Sequence, residues 1–212
     1  EAGNLWAWGY NNYGQLGNNT QTNSLIPIKI TNTDGTKFVT ADTGVAHTLA
    51  IDEVGNLWAW GNNGSYGMLG NNSTTLSKIP IKITNTDGTK WVSVSAGSTH
   101  SVAIDEVGNL WTWGYNAVGQ LGNNTLVDSK IPIKITNSDN TKFVKIDAGY
   151  YHTISIDTAD NLWVWGYNNY YQLGNNSTTT SKVPIKITNS DGIKWRTISA
   201  GDNHNLAIDL NV

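Results

Sequence analysis

The sequence predicts an all-β protein, a β-propeller built from repeated blades. Its central stretch, IDEVGNLWTWGYNAVGQLG at residues 104–122, recurs three more times with small changes. The first tryptophans of the four copies, Trp6, Trp58, Trp111 and Trp163, are spaced by 52, 53 and 52 residues. A period of about 50 residues in a Gly- and Asn-rich chain without useful helical periodicity is typical of propeller blades, each with four antiparallel strands.

The four tandem repeats, each of about 52 residues, start near residues 3, 55, 108 and 160 and are expected to form one domain over residues 1–212. The chain starts and stops inside the same predicted hairpin, so one blade is expected to be split between the N- and C-termini. Three arrangements are open. They are a small ring closed by one chain, an eight-bladed ring in which two chains pair their strands, and a segment of a longer array.

Composition excludes several classes of protein. The formal net charge is -3, and the 13 basic residues are spread through the repeats. This argues against a nucleic-acid partner, because such binding relies on clustered positive charge. The absence of cysteine excludes disulfides and zinc–thiolate sites, and no apolar run reaches the ~18 to 20 residues that insertion into a bilayer requires. The excess of Asn, Thr, Ser and Gly over charged residues favours an extracellular or cell-surface location.

The tryptophan strand, Leu5–Gly9 in the first repeat, is predicted to lie inside a sheet. Its alternation places Trp6 and Trp8 on one face and Leu5 and Ala7 on the other, so both faces are apolar. A strand of this kind is sandwiched between neighbours. The repeated tryptophans are therefore assigned to the core.

The next strand, residues 26–30, is predicted to be the outermost strand of its blade. It reads Ile-Pro-Ile-Lys-Ile, and proline cannot donate a hydrogen bond to a sheet ladder. The lysine alternates with the isoleucines and is expected to face water, where it protects the exposed edge from aggregation. The lysines at this position are Lys29, Lys82, Lys134 and Lys186.

A turn at residues 31–36 then leads to the inner strands of the following blade, predicted at residues 37–42 and 46–52. The Asp-Gly pair of this turn requires a positive φ, and the third repeat has Asn140, the next most tolerant residue, in place of the glycine. The loop after Asp52 returns the chain to the next tryptophan strand. In the last repeat Asp160 replaces the glycine of that loop and is expected to be left-handed.

These motifs resemble the regulator of chromosome condensation (RCC-type) repeat family. The family signature G-x-[LV]-[WY]-x-W-G-x-N-x-x-G-Q-L-G matches residues 3–17, 55–70, 108–122 and 160–174. The family turn A-G-x-x-H-[TS] matches residues 96–101 and 148–153 best. The chain departs from the signature at Tyr171, which replaces a glycine, and at Met68, which replaces a glutamine. The best-known members have more blades than the four repeats supplied here.

The resemblance implies a propeller that binds other proteins. Family members serve as exchange factors, ligase-associated interaction modules, a plant ultraviolet photoreceptor and a bacterial enzyme inhibitor. Ultraviolet sensing resembles a G-W-R-H-T turn motif, and the corresponding turns here, such as residues 97–101, lack both Trp and Arg. The loop insertions and charged residues of nucleotide exchange cannot be located either, so neither activity is expected.

One histidine and one aspartate per repeat form symmetric sets that could bind a metal or catalyse a reaction. The family motif implies instead that each histidine fixes its own hairpin through the backbone, and facing side chains across a propeller lie too far apart to share one ion. An aspartate repeated identically in each blade lacks the distinct environments of acid–base catalysis, so a turn role is expected. The aspartates are Asp52, Asp105, Asp157 and Asp209. No catalytic, cofactor or metal site is expected.

The predicted structural core contains the histidines and eight of the tryptophans. Its members are Trp6, Trp8, Trp58, Trp60, Trp111, Trp113, Trp163, Trp165, His47, His100, His152 and His204. The loops after each W-x-W-G motif are the candidate contact sites, because tyrosine and asparagine on one rim of a rigid scaffold suit a partner. Simple loop packing is the alternative. The candidates are Tyr10, Asn12, Tyr13, Tyr66, Tyr115, Asn116, Tyr167, Tyr170 and Tyr171.

The predicted function is a non-enzymatic binding scaffold that presents its blade-loop rims to a protein partner. The alternative is a lectin with one weak glycan site per blade, because weak sites gain avidity when they are multiplied. No enzyme activity and no cofactor are expected. A homodimer that completes a ring by strand pairing is among the open arrangements.

Overall fold

The computed structural model describes residues 4–31, 35–84, 88–136, 140–188 and 191–210, and these residues form successive antiparallel sheets. The strands are β1 Leu5–Gly9, β2 Ser24–Ile30, β3 Phe38–Thr43, β4 His47–Asp52, β5 Leu57–Gly61, β6 Ser77–Ile83, β7 Trp91–Ala96, β8 His100–Asp105, β9 Leu110–Gly114, β10 Ser129–Lys134, β11 Phe143–Ala148, β12 His152–Asp157, β13 Leu162–Gly166, β14 Ser181–Lys186, β15 Trp195–Ala200 and β16 Asn205–Asp209. The predicted repeat start at residue 3 and the centre of the first predicted turn, residues 32–34, lie outside the described residues.

Three of the sheets have four strands each and confirm the predicted blade. Their orders are β3-β4-β5-β6 in blade 1, β7-β8-β9-β10 in blade 2 and β11-β12-β13-β14 in blade 3. The described residues form two further sheets of two strands, the N-terminal hairpin β1-β2 and the C-terminal hairpin β15-β16. Each complete blade therefore takes its two inner strands from one sequence repeat and its two outer strands from the next.

The position of each strand within its blade agrees with the sequence. The tryptophan strands β5, β9 and β13 lie between two neighbours, and the proline strands β6, β10 and β14 lie at the edge. The edge lysines lie on these strands and on β2, and they are Lys29, Lys82, Lys134 and Lys186. The predicted positive φ angles are confirmed at Asn140, with φ 56, and at Asp160, with φ 60.

The hydrophobic core lies between successive blades. One cluster joins Leu49 and Leu57 of blade 1 to Trp91, Ala103 and Trp113 of blade 2. Alternate residues of a strand face opposite sides of its sheet, so a blade with two apolar faces can pack against both neighbours. Trp60, Trp113 and Trp165, the second tryptophans of strands β5, β9 and β13, are 1%, 0% and 0% exposed.

Within the described chain Trp6, Trp8 and His204, which were assigned to the core, are exposed. Trp6 and Trp8 are 52% and 59% exposed, and His204 is exposed as well. These residues belong to or adjoin the two-stranded hairpins, where within the described residues no further strand pairs with β1 or β16 to cover them. Trp58 is buried, and Trp111 and Trp163 are half-buried.

Candidate functional site

The loop that follows each tryptophan strand is built around one buried asparagine. In blade 2, Nδ2 of Asn116 donates to the carbonyl oxygens of Thr125 and Val127, both at 3.1 Å, and its Oδ1 accepts from the amide of Leu121 at 3.0 Å. The prediction that Asn116 contacts a partner is wrong, because its amide closes the loop and is fully buried. The equivalent residues, also fully buried, are Asn11, Asn63 and Asn168.

Each buried histidine joins its blade to the next one. Nε2 of His47 lies 2.9 Å from Oγ of Ser101, and that hydroxyl donates to the carbonyl oxygen of Met68 at 2.8 Å. Because the hydroxyl proton is used at Met68, the histidine is the donor, which fixes its Nε2–H tautomer. The equivalent links are His100 to Thr153 and His152 to Asn205. The expectation that each histidine fixes its own hairpin through the backbone is therefore wrong.

Burial keeps these histidines neutral. It lowers the pKa of His47 to about 4. Burial, together with the nearby imidazoles of His152 and His47, lowers the pKa of His100 to about 3. Burial also lowers the pKa of His152. Among the described residues, Nδ1 of each of the three has no hydrogen-bond partner, so a second proton would be buried without an acceptor.

The Q-L-G end of each loop holds the indole of the following blade. The carbonyl oxygen of Met68 accepts a hydrogen bond from Nε1 of Trp113 at 2.8 Å, and a Cβ added to Gly70 would lie 2.9 Å from the same nitrogen. We call this carbonyl and glycine the indole socket. The other occupied sockets pair Gln15 and Gly17 with Trp60, and Gln120 and Gly122 with Trp165.

The repeated aspartates close the hairpin before each tryptophan strand. Oδ1 of Asp105 accepts from the amides of Val107 at 3.1 Å and Asn109 at 2.8 Å, and its Oδ2 accepts from Nε1 of Trp111 at 2.9 Å. Burial raises the pKa of Asp105, but the hydrogen bonds outweigh it and hold the pKa below its ordinary value. Because both of its oxygens accept hydrogen bonds within the hairpin, this carboxylate stabilises the turn.

Six tyrosines form a continuous surface band, which we call the tyrosine belt. Tyr66 and Tyr115, in the loops after β5 and β9, have ring centroids 4.5 Å apart, and Tyr115 lies 5.8 Å from Tyr151 in the β11–β12 turn. The belt continues from Tyr151 to Tyr167 at 6.4 Å. Tyr150 packs on Tyr151 at 4.5 Å, and Tyr170 packs on Tyr167 at 6.0 Å.

The belt extends across different blades because two connections lie at the same end of each blade. One is the loop after the tryptophan strand, and the other is the turn between the two inner strands. The amide of Tyr167 donates to the carbonyl oxygen of Tyr151 at 2.9 Å, and the amide of Tyr115 donates to that of Thr99 at 3.0 Å. Burial raises the pKa of the Tyr151 phenol, and the neighbouring Tyr150 and Tyr115 raise it further. The belt is half-exposed, with Tyr150 37% and Tyr170 62% exposed.

Apart from the buried Asn116, the predicted contact residues fall into three groups. Tyr66, Tyr115, Tyr167 and Tyr170 lie in the belt. Tyr10 and Tyr13 form a separate exposed pair with centroids 6.4 Å apart, and Asn12 and Tyr171 are exposed outside the belt. The sequence missed Tyr150 and Tyr151, although they stand where the other repeats have smaller side chains, and such a departure from the repeat was the available signal.

Among the described residues, no three His, Asp or Glu side chains gather closely enough to hold a metal ion. The described part of the chain also contains no helix able to cross a membrane.

Gly97→Ala is expected to lower the free energy of unfolding by about 2 to 3 kcal/mol, because the blades leave no room for a methyl group. The added Cβ would lie 2.6 Å from Cε1 of His100 and 2.7 Å from the carbonyl oxygen of Gly149 in the next blade. Urea unfolding would measure the loss. Gly35→Ala is the control, since its Cβ meets nothing within 4 Å and only its φ of +76 opposes the change. Equal losses at the two positions would contradict the steric account.

The comparisons with known proteins point to one family. A family model described as "RCC1-like domain" matches residues 1–211. The chain is 34% identical over 206 residues to the ultraviolet-B receptor UVR8 of Arabidopsis thaliana, a match that covers 97% of this chain and 47% of the receptor. It is 30% identical over 208 residues to the E3 ubiquitin-protein ligase HERC2 of Homo sapiens, a match that covers 97% of this chain and 4% of the ligase.

Two solved structures share the fold. Human WBSCR16 superposes with a TM-score of 0.88 at 22% identity, over 100% of this chain and 54% of that one. Yeast RCC1 (Prp20), solved bound to Kap60, superposes with a TM-score of 0.80 at 21% identity, over 97% of this chain and 50% of that one. The chain thus spans about half the length of both structures and of the plant receptor.

Proposed function

The chain belongs to the RCC1-like domain family, and from this premise we propose that it is a non-enzymatic propeller scaffold that binds a protein partner through the tyrosine belt. The observation that carries the proposal is the belt itself, a row of rings that runs across several blades. A tyrosine offers a large contact area at a small cost in conformational entropy, and its hydroxyl remains available for hydrogen bonds. Tyrosine is enriched among the residues that contribute most of the binding free energy of protein interfaces.

The frame beneath the belt supports this role. The loops that carry Tyr66, Tyr115 and Tyr167 are each closed by a fully buried asparagine and bonded to an inner turn. A partner would therefore meet rings whose backbone positions are already fixed, so little ordering entropy would be lost on binding. The rings of the belt suit a partner segment with apolar side chains.

Structural relatives support a protein as the partner class. Yeast RCC1 (Prp20) has been solved bound to Kap60, and a second structure of the same protein, which superposes with a TM-score of 0.63, is described with its binding properties toward Gsp1p and histones. The two structures align with this chain at 21% and 17% identity, so the partners of that protein are not carried over. Catalysis is not part of the proposal, because the symmetric carboxylates Asp52, Asp105 and Asp157 are engaged in their turns.

A glycan is the alternative partner. The asparagine that recurs in every loop is buried and engaged at Asn11, Asn63, Asn116 and Asn168. A lectin of one site per blade would need polar groups that recur on the surface, whereas the tyrosines of the belt differ in number from blade to blade. Binding should therefore be tested against glycans as well as against proteins.

The double variant Tyr115→Ser with Tyr151→Ser is expected to weaken partner binding by about 10- to 100-fold, since two central rings of an interface would be lost. The immobilised 212-residue chain would first capture partners, and calorimetry with each purified partner would then compare the variants. Tyr13→Ser is the matched control, because Tyr13 is 41% exposed but lies outside the belt. It is expected to change the affinity less than about 3-fold.

An affinity unchanged by the double variant would contradict the belt as the binding surface. Binding of the chain to a glycan array, with the same loss in the double variant, would replace the protein partner by a glycan. Thermal unfolding of each variant would show that the fold is intact, since half-buried rings contribute less to stability than the fully buried indoles.

A further inference from the structure

The loop after each tryptophan strand has two positions that can hold a tyrosine ring. One directly follows the W-x-W-G motif, and the other precedes a residue with a positive φ. In the first and fourth of these loops both positions are tyrosine, and the two rings of a loop pack on each other. These pairs are Tyr10 with Tyr13 at 6.4 Å and Tyr167 with Tyr170 at 6.0 Å.

The second and third loops each lack one of these two tyrosines. Asn62 stands at the first position of the second loop, and Val118 stands at the second position of the third loop. Tyr66 and Tyr115 therefore have no ring partner within their own loops. They pack on each other across the junction of blades 1 and 2, with ring centroids 4.5 Å apart and an interplanar angle of 52°.

The backbone holds both rings in this position. Asn63 and Asn116, both fully buried, close the two loops. A Cβ on Gly67, the residue after Tyr66, would lie 2.6 Å from Cα of Lys130 in β10, so the second loop rests directly on blade 2. The ring contact is thus built into the junction of two complete four-stranded blades.

Both rings can be reached by a reagent in solvent, because Tyr66 and Tyr115 are half-exposed. The sulfur side chains, which readily react with oxidants, do not compete with them. The chain has no cysteine, and its one methionine, Met68, is 2% exposed. The indole of Trp113, which links the same two blades, is 0% exposed. An oxidant at this surface therefore meets the phenols first.

We propose that Tyr66 and Tyr115 form an oxidative modification site, at which a peroxide acting through a haem peroxidase joins the two rings as dityrosine. Each phenol gives up one electron and its hydroxyl proton and becomes a phenoxyl radical. The two radicals form one carbon–carbon bond between ring carbons ortho to the hydroxyls, and the displaced ring protons return to the phenol oxygens. The two electrons and two protons that are lost reduce one hydrogen peroxide to two waters.

The geometry favours this pair over the other close rings of the belt. Coupling requires the edges of two rings to meet, and a tilt of 52° at 4.5 Å brings two edges closer than a perpendicular arrangement does. Tyr150 and Tyr151 are equally close but lie at 89°, so the edge of one ring points at the face of the other. Tyr115 and Tyr151 are 5.8 Å apart.

The new bond would tie blade 1 covalently to blade 2. A crosslink between residues far apart in sequence restricts the unfolded chain, as a disulfide does. The oxidised chain is therefore expected to unfold at a higher urea concentration than the unmodified chain. The crosslink needs no partner at the belt, so it would form whether or not the belt binds a protein.

Peptide mapping after oxidation tests the site. At about 1 µM protein, coupling within a chain is favoured over coupling between chains, because the two rings of one chain have a far higher effective concentration. Trypsin cleaves after lysine, and Tyr66 is the sole tyrosine of peptide 38–78, as Tyr115 is of peptide 91–130. Peroxidase with hydrogen peroxide is expected to join these two peptides in chains that keep the single-chain mass of 23.0 kDa, with dityrosine fluorescence.

Tyr66→Phe keeps the ring and removes the hydroxyl, so the joined peptides and the shift in urea unfolding are both expected to disappear. Tyr13→Phe is the matched control, because Tyr13 has the same position in the first loop and is also exposed. It is expected to leave the joined peptides unchanged. Their absence from the oxidised parent, an equal yield in Tyr66→Phe, a predominant link from peptide 91–130 to peptide 146–182, or links between chains alone would each overturn the proposal.

Discussion

Trp113→Ala is expected to lower the free energy of unfolding by about 3 to 5 kcal/mol. The indole of Trp113 is fully buried, packs with Leu69 and Trp91 in the cluster between blades 1 and 2, and donates to the carbonyl oxygen of Met68 at 2.8 Å. Its loss would leave a cavity in the core and an empty socket. The truncation would therefore weaken the packing of two blades.

Urea unfolding followed by circular dichroism would measure this loss. Val127→Ala is the control, because Val127 is 71% exposed and its truncation is expected to cost less than about 0.5 kcal/mol. Trp113→Phe would separate the two contributions, since it keeps most of the ring packing and removes the indole donor. A loss below about 1 kcal/mol for Trp113→Ala would contradict the role of the indole as a link between blades.

Acidification from about pH 7.5 to about pH 5 is expected to lower the free energy of unfolding by about 4 kcal/mol. Burial lowers the pKa of His47 to about 4 and that of His100 to about 3, from an ordinary value of 6.5. Below about pH 6.5 the unfolded chain binds protons that the folded chain cannot bind. Stability is therefore complete above the unfolded pKa and falls as the pH drops toward the folded pKa, by about 2 kcal/mol for each histidine at about pH 5.

The aspartates do not contribute in this range. The pKa of Asp52, Asp105 and Asp157 is lowered from the ordinary value of 3.8, so their stabilisation is lost only near and below that pH. The lowered pKa of His152 adds to the histidine effect in the same direction.

His100→Gln provides the matched variant for the acid experiment. Glutamine can donate a hydrogen bond toward Thr153 but does not titrate, so the variant is expected to lose about 2 kcal/mol less than the parent between the same two pH values. Chemical unfolding at each pH would give the pH dependence of the free energy of unfolding for both proteins. Parallel pH profiles for the two proteins would show that His100 is not the source of the acid sensitivity.

Much of the fold could be predicted because the repeat carries its own periodicities. Alternation identified the tryptophan strand, and proline at Pro80 and Pro132 identified the outer strand, each from local chemistry alone. The links between blades could not be predicted in the same way. Met68 and Trp113 are 45 residues apart, and nothing in either residue type says that a backbone carbonyl of one blade receives an indole of the next.

The candidate site was predicted only in part, for a related reason. Tyr66, Tyr115 and Tyr167 were found because they vary within otherwise constant loops. Asn116 was misassigned because a polar residue in a loop can be exposed or can bind the backbone of that loop, and the sequence does not distinguish the two cases. Tyr151 was missed because its turn is adjacent to the loops only in three dimensions.

The indole socket explains why the rim of this protein can change while its blades stay joined. The socket presents a backbone carbonyl and a glycine, so the side chain at the carbonyl position plays no part in holding the indole, and Met68 serves as well as Gln15 or Gln120. A substitution of the side chain at this carbonyl position therefore leaves the hydrogen bond between the two blades in place.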